Sequence, residues 1–292
     1  MSQKDEGEYF YDFHDAAVKN SGMNGINLVS CANNHSYDYG EGGLLTNLEH
    51  LKQSNLVYSG TGRNLSEARA PAYLDTSAGR VALISASSTF AESGRALDQR
   101  PDLLGRPGLN TLRFHTTYEV DKKAFQELKR ISQSLGLESI KKGDQQFRAK
   151  GSVPIDTETE FHFLGNKFSI DDSFKATTKL GLKDLEGNLK WVRDARRMAD
   201  WVLISVHCHE SGVHRDEPPT FLSDFAKLCI DNGADAFIGH GPHVTRGIEI
   251  YKGKPIFYSL GNFVFQNETV RWQPAYNYET ANLRAEAPPA EF

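Results

Sequence analysis

Apolar and polar positions along the chain fall into two rhythms. Short apolar runs read as strands buried on both faces, and stretches with apolar residues every three or four positions read as helices. The first clear run is Ile26 to Cys31. It is followed by Leu44, Leu45, Leu48 and Leu51 at helical spacing over 41–54, then by a short strand from Asn55 to Tyr58. Ahead of these, Phe10 to Asn20 predicts a short amphipathic helix stopped by Ser21-Gly22. Pro71 to Asp75 and Arg80 to Ser87 predict a hairpin around Ser77-Ala78-Gly79.

The rhythm breaks after Ser87 and resumes near Leu185. Residues 91–112 are rich in Gly, Pro, Arg and Asp, Tyr118 to Leu135 predicts a polar helix, and 136–160 is charged with little period. Phe161 to Ile170 predicts a strand or hairpin. The stretch 95–180 is therefore expected to be an insertion, acting as a lid or specificity element on a domain of residues 1–267. The remaining 268–292 is expected to be an irregular tail. Beyond the insertion, helices over Leu185 to Asp200 and Thr220 to Asn232 alternate with strands 201–206 and 235–238. A hairpin follows, from Ile248 to Tyr251 and from Pro255 to Leu260. Strands alternating with helices predict an α/β fold.

Composition narrows the class. A chain of 292 residues with 39% hydrophobic content can bury one large core. A net charge of −5 supplies no basic field, so nucleic acid is not an expected partner. Cys31, Cys208 and Cys229 are too few and scattered for a disulfide framework and read as buried thiols. Lys141, Lys142, Arg148 and Lys150 read as a solvated basic face. No apolar run reaches the length of a membrane span. The polar stretch Met1 to Glu8 is not a signal peptide. The chain by itself thus reads as cytoplasmic, or as membrane-associated where an anchor precedes it.

The candidate chemistry lies where three apolar runs end. One ends in Asn33-Asn34-His35, one in His207-Cys208-His209-Glu210, and one in Gly239-His240-Gly241-Pro242-His243. Open α/β sheets bind ligands outside the carboxyl ends of their strands. Imidazole nitrogens with an amide oxygen make a mixed donor set suited to a divalent ion such as Mn, Zn or Fe. One or two such ions would polarise a phosphoryl oxygen and supply hydroxide near neutral pH. An unligated histidine nearby would serve as acid for the leaving oxygen. The competing reading is turn histidines bonded to backbone carbonyls.

Taken together, Ala32-Asn33-Asn34-His35-Ser36-Tyr37-Asp38-Tyr39-Gly40, Arg106-Pro107-Gly108, His207 with Glu210, Gly239 to Val244, and Tyr258-Ser259-Leu260-Gly261-Asn262-Phe263 resemble the CapA family. These are bacterial capsule or poly-γ-glutamate synthesis proteins. The resemblance covers residues 10 to 267. It implies a calcineurin-like metallophosphatase fold, an α/β/β/α sandwich with an inserted lid region. It also implies metal ligands at Asn34, His207, His240 and His243, and a general acid at His35. Asp38, Glu210 and Asn262 would contact substrate or support the ligands. His209 lies on the same strand face as His207 and would replace or join it.

Relatives also carry an early Gly-Asp and a later Asn-Leu-Glu. Neither has a counterpart here, because Asn47-Leu48-Glu49 falls in a predicted helix. Metal-dependent phosphoester hydrolysis is the expected activity, on an anionic or phosphorylated small molecule or polymer. The alternatives are a non-catalytic accessory or polymer-binding protein, working with capsule synthase subunits, and a γ-glutamyl or amide hydrolase. A homo-oligomer is a further expectation, since a missing strand leaves a sheet edge to cover.

Overall fold

A computed structural model describes residues 25–150, 152–262, 275–284 and 287. The helix expected over Phe10 to Asn20 lies outside them. The described residues form two compact units. One runs up to Arg113 and resumes at Leu182; the other is Phe114–Gly181.

In the first unit, β1 (Leu28–Ser30) pairs in parallel with β2 (Val57–Ser59), and α1 (Gly40–Gln53) forms the crossover that parallel strands require. Leu44, Leu48 and Leu51 are the buried stripe of α1, as their spacing predicts. β3 (Thr61–Gly62) leads to α2 (Leu65–Arg69), whose first turn is capped by Asn64 accepting from the Glu67 amide. β4 (Ala72–Thr76) and β5 (Gly79–Ser87) form the expected hairpin. β6 (Gly108–Leu109) returns to pair with β3. Residues 95–113, expected within the insertion, therefore pack into this unit.

The second unit opens differently from its sequence pattern. Phe114 to Val120 is a strand, β7, so the helix expected from Tyr118 begins only at Lys122. Asp121 ends the strand by accepting the Ala124 amide at 2.7 Å, which caps α3 (Lys122–Ser134). Asp121→Ala should cost this unit about 1 kcal/mol, read as a lower urea midpoint. The charged stretch expected to lack structure contains α4 (Leu137–Phe147). None of its residues is buried, so there was no apolar stripe to read. β8 (Glu160–Phe163) and β9 (Asn166–Ile170) form a hairpin, and β10 (Lys175–Leu180) closes the sheet in the order β10-β7-β9-β8. Phe125 and Phe161 are its buried centre.

From α5 (Leu182–Met198) the chain rebuilds the first unit with β11 (Trp201–His207), α6 (Thr220–Asp231) and β12 (Ala236–His240). The hairpin β13 (Ile248–Tyr251) and β14 (Lys254–Phe257) follows. A short helix, α7 (Ala275–Thr280), lies in the stretch expected to be irregular. The main sheet runs β13-β14-β12-β11-β5-β4, with β5, β11, β12 and β14 parallel. α5 packs on β5 and β11, α6 on β12, and the β1–β2 sheet on β4 and β5. Phe221, Phe225 and Phe237 are fully buried between helix and sheet, each stabilising the layer by about 1.5–3 kcal/mol. The mixed α/β fold expected from the strand–helix rhythm is the one found.

A polar knot ties α5 to the rest of its unit. Asp184, 2% exposed, accepts from Arg69 at 2.6 Å and from Arg113 at 2.7 and 3.0 Å. Arg69 also donates to Asn110, whose amide donates to the Ser85 carbonyl and to Asn188. Burial raises the Asp184 pKa, but the Arg113 hydrogen bonds and the charges of both arginines outweigh it and hold the carboxyl below the usual range.

Candidate functional site

β11 and β12 are adjacent parallel strands in a register that sets His207 opposite His240. Each is the last residue of its strand, so both imidazoles stand at the carboxyl edge of the sheet. Their Nδ1 atoms are 3.2 Å apart, and Nε2 of His240 lies 3.0 Å from the Ser205 hydroxyl. His209, two residues on, brings its ring centroid to 4.8 Å from that of His207 and 5.5 Å from that of His243. The four rings therefore form a continuous row: His240, His207, His209, His243.

The turn that carries the row onward depends on Gly241. Its φ is +117°, and a Cβ there would meet the Cys208 nitrogen at 3.0 Å and the His207 and His209 rings at 3.1 Å. Glycine is the residue type that adopts such a φ without strain. His243 itself has φ 58°, and its Nδ1 lies 2.9 Å from Asn262 Oδ1. Since that oxygen only accepts, Nδ1 carries the proton and Nε2 holds the lone pair.

The loop after β1 supplies the other side. Asn33 Oδ1 accepts the His35 amide at 2.8 Å, and the Ser36 hydroxyl lies 2.6 Å from the Cys31 carbonyl, which folds 31–36 into a tight turn. His35 projects outward with 68% of its side chain exposed. Its Nδ1 is 2.7 Å from Asp38 Oδ2, and its Nε2 is 3.2 Å from the Asn34 amide.

The electrostatics separate two kinds of histidine. Burial pushes His207 down to about 3, and its neighbours His240, His209, His35 and His243 add to the push. Burial takes His240 down to about 4. His209 is also lowered, by burial first and then by His243, His35 and Arg246, with Glu210 opposing. These rings are neutral at physiological pH, the form that binds metals. His35 moves the other way: its bond to Asp38 raises it, against partial burial. The influence of His35 on His207 and His209 places the β1 loop in the same electrostatic neighbourhood.

Glu210, expected to contact substrate or support the ligands, is engaged with the end of β5. Its carboxylate accepts from Ser88 at 2.6 Å and from Thr89 at 3.1 and 3.2 Å, and the Cys208 thiol lies 3.3 Å away. Thr89 Oγ1 in turn accepts the His209 amide at 2.9 Å. Glu210 thus braces the end of β11 against the end of β5. Ser88 and Thr89 were missed, along with Ser205 and Arg246. The signal available for the first two was a hydroxyl pair closing the apolar run of β5. Burial pushes the Cys208 thiol up to about 12, so it is an inert packing group.

The donor set matches a divalent cation in type. Nε2 of His207 and of His209 is buried without a hydrogen-bond partner, a state that buried polar atoms rarely keep. The Nδ1 atoms of His207 and His240 are a separate pair on the other edge of the His207 ring, and their 3.2 Å fits a hydrogen bond between them as well as the roughly 3.0–3.4 Å that two nitrogens keep on one ion with Zn–N bonds of about 2.0–2.1 Å. Asn34 turns its amide nitrogen to His35 Nε2, at 3.2 Å. As the rings stand, the closeness is pairwise: among the described residues no three His, Cys, Asp or Glu groups are arranged to hold an ion. Asn262 and Asp38 act here as partners of His243 and His35.

Residues 2–267 match the family model described as bacterial capsule synthesis protein PGA_cap. The chain is 35% identical over 243 residues to the uncharacterized protein y4sH of Sinorhizobium fredii, covering 83% of this chain and 50% of that protein. It is 26% identical over 256 residues to the capsule biosynthesis protein CapA of Bacillus anthracis, covering 87% and 43%. It is 25% identical over 237 residues to a probable polyglutamine synthesis accessory protein of Mycobacterium tuberculosis, covering 71% and 61%. The chain thus spans about half the length of the curated relatives it matches. Among the described residues no helix is long and apolar enough to cross a membrane.

Proposed function

The chain belongs to the family of bacterial capsule synthesis proteins, and from that premise we propose that it hydrolyses a phosphoester in capsule or poly-γ-glutamate synthesis, with a divalent ion held at the strand ends. The observation that carries this reading is the facing pair His207 and His240, neutral and 3.2 Å apart. Asn34, His207, His240 and His243 would hold the ion, Mn, Zn or Fe, with His209 as the adjoining donor. When bound, the ion supplies Lewis-acid polarisation and a nucleophilic water near neutral pH.

The chain's own groups do the rest. Asp38 accepts from Nδ1 of His35, which fixes the ring and leaves Nε2 as the atom that would take up and give the exchangeable proton once the Asn34 amide nitrogen, 3.2 Å away, turns from it. The raised pKa keeps more of His35 protonated near neutrality, so that it can give this proton to a leaving oxygen. Asn262 holds His243 in one tautomer, and Thr89 with Glu210 fixes the backbone at His209. The substrate is an anionic or phosphorylated small molecule or polymer, and capsule synthase subunits are the expected partners.

A second reading has its own support. The rings converge only in pairs, and one relative is named an accessory protein. In that reading the chain binds polymer or synthase without hydrolysis. Metal analysis of the purified protein, followed by hydrolysis of bis(p-nitrophenyl) phosphate with and without Mn²⁺, decides between them. Bound metal and Mn²⁺-stimulated turnover are expected, and their joint absence would hand the case to the accessory reading. Cleavage of a γ-glutamyl oligomer in place of the phosphoester would instead reassign the bond. His240→Ala should lose the metal, and full retention would refute its role as a ligand.

A further inference from the structure

Two arginines beside the histidine row lack a counter-charge. Arg246 is 5% exposed, and its guanidinium donates from Nε to the Arg215 carbonyl at 3.2 Å and from Nη2 to the Glu210 carbonyl at 2.7 Å. Its Nη1 is buried with no partner. Glu210, whose carbonyl takes the Nη2 bond, spends its carboxylate on Ser88 and Thr89, and Glu249, three residues from Arg246, is taken by Lys227 and Tyr258. Arg215 is exposed, and its Nη2 donates to the Pro242 carbonyl at 3.1 Å, inside the turn between His240 and His243. Among the described residues neither arginine forms an ion pair; Arg106 and Arg193 share that state, but Arg246 is the one of the four that is buried.

A buried guanidinium with no anion is costly, because desolvation is not repaid by neutral carbonyls alone. An arginine also presents five donors in a planar fork suited to carboxylate or phosphate, and Arg215 uses one of them on protein. The intervening loop is closed on itself, with the Gly212 amide on the Glu217 carbonyl at 2.9 Å and the Glu217 amide on the His214 carbonyl at 3.1 Å. Arg246 holds it from beneath at two carbonyls. The loop is thus a fixed bracket whose free fork faces outward at the histidine turn.

Resting on the proposed reading of the histidine site, we infer that Arg215 is a specificity-determining residue. It binds an oxyanion of the substrate other than the group being cleaved, and Arg246 is the positioning residue that sets it in place. The ligand class is a carboxylate or phosphate monoanion or dianion next to the reacting bond. Neutral esters would be poor ligands.

The test is titration calorimetry on EDTA-treated protein, with inorganic phosphate and glutarate as separate probes. The wild type should bind at least one of them, and the stronger probe identifies the anion. Arg215→Ala should weaken that binding at least tenfold, and Arg215→Lys should restore part of it. Arg246→Met should weaken it as well. In the double variant the loss of affinity should equal that of Arg215→Ala alone. Unchanged affinity in Arg215→Ala, or no binding of either probe by the wild type, overturns the assignment. Additive affinity losses in the double variant overturn the role given to Arg246. Binding that depends on Arg215 in a protein that hydrolyses no phosphoester would sink the hydrolase reading and leave the anion site standing.

Discussion

Asp184→Ala is expected to remove about 3–5 kcal/mol of stability, the cost of breaking a buried ion pair from one side. Three guanidinium hydrogen bonds end on this carboxylate, and Arg69 has 8% of its side chain exposed. Without Asp184, Arg69 keeps its charge in the core, and α5 loses its tie to Arg113, at the end of the first segment of the same unit. Urea unfolding followed by circular dichroism measures the loss, and a change below about 1 kcal/mol would show that the knot is ornamental. The pH dependence has a definite sign. The folded pKa of Asp184 lies below its unfolded value, so its contribution is fully present above the unfolded carboxylate pKa, near 4. It fades as pH falls through the depressed folded value. Wild-type stability should therefore drop more steeply with acid than that of Asp184→Ala.

Gly241→Ala should be the most damaging small substitution at the site. The added methyl enters against the rings of His207 and His209 and the Cys208 backbone, at a φ that costs an L-residue of order 1–3 kcal/mol. The expected outcome is a folded protein in which the proposed hydrolysis falls roughly 100-fold, the penalty of an ångström-scale displacement of reacting groups. Far-ultraviolet circular dichroism checks the first part, and Mn²⁺-dependent turnover of the phosphoester checks the second. Retained turnover would mean that the row of rings does not perform the chemistry.

The legible part of this molecule was the part with periodic apolar burial. β5, β11 and β12 were readable because their buried residues form runs, and α1, α5 and α6 because their apolar residues share a stripe. The His207, His240 and His243 positions could be read from where those runs end. α4 could not, since a helix that buries nothing leaves no period. β7 went unread over Phe114 to Thr117, and its end from Tyr118 to Val120 was taken into the following helix, because the strand is half-exposed and polar. Glu210 was named as a support for the site, but its partners Ser88 and Thr89 and the bond of Arg246 to the Arg215 carbonyl could not be read, because one-dimensional spacing does not encode such contacts.

The in-register pairing of His207 with His240 also limits how this gene can change in length. Side chains alternate faces along a strand, so gaining or losing one residue inside β11 or β12 would send one imidazole to the opposite side. The hairpin turn at Lys252-Gly253 lies outside that ladder and is free to lengthen. Natural insertions and deletions should therefore gather at such turns and avoid the two central strands.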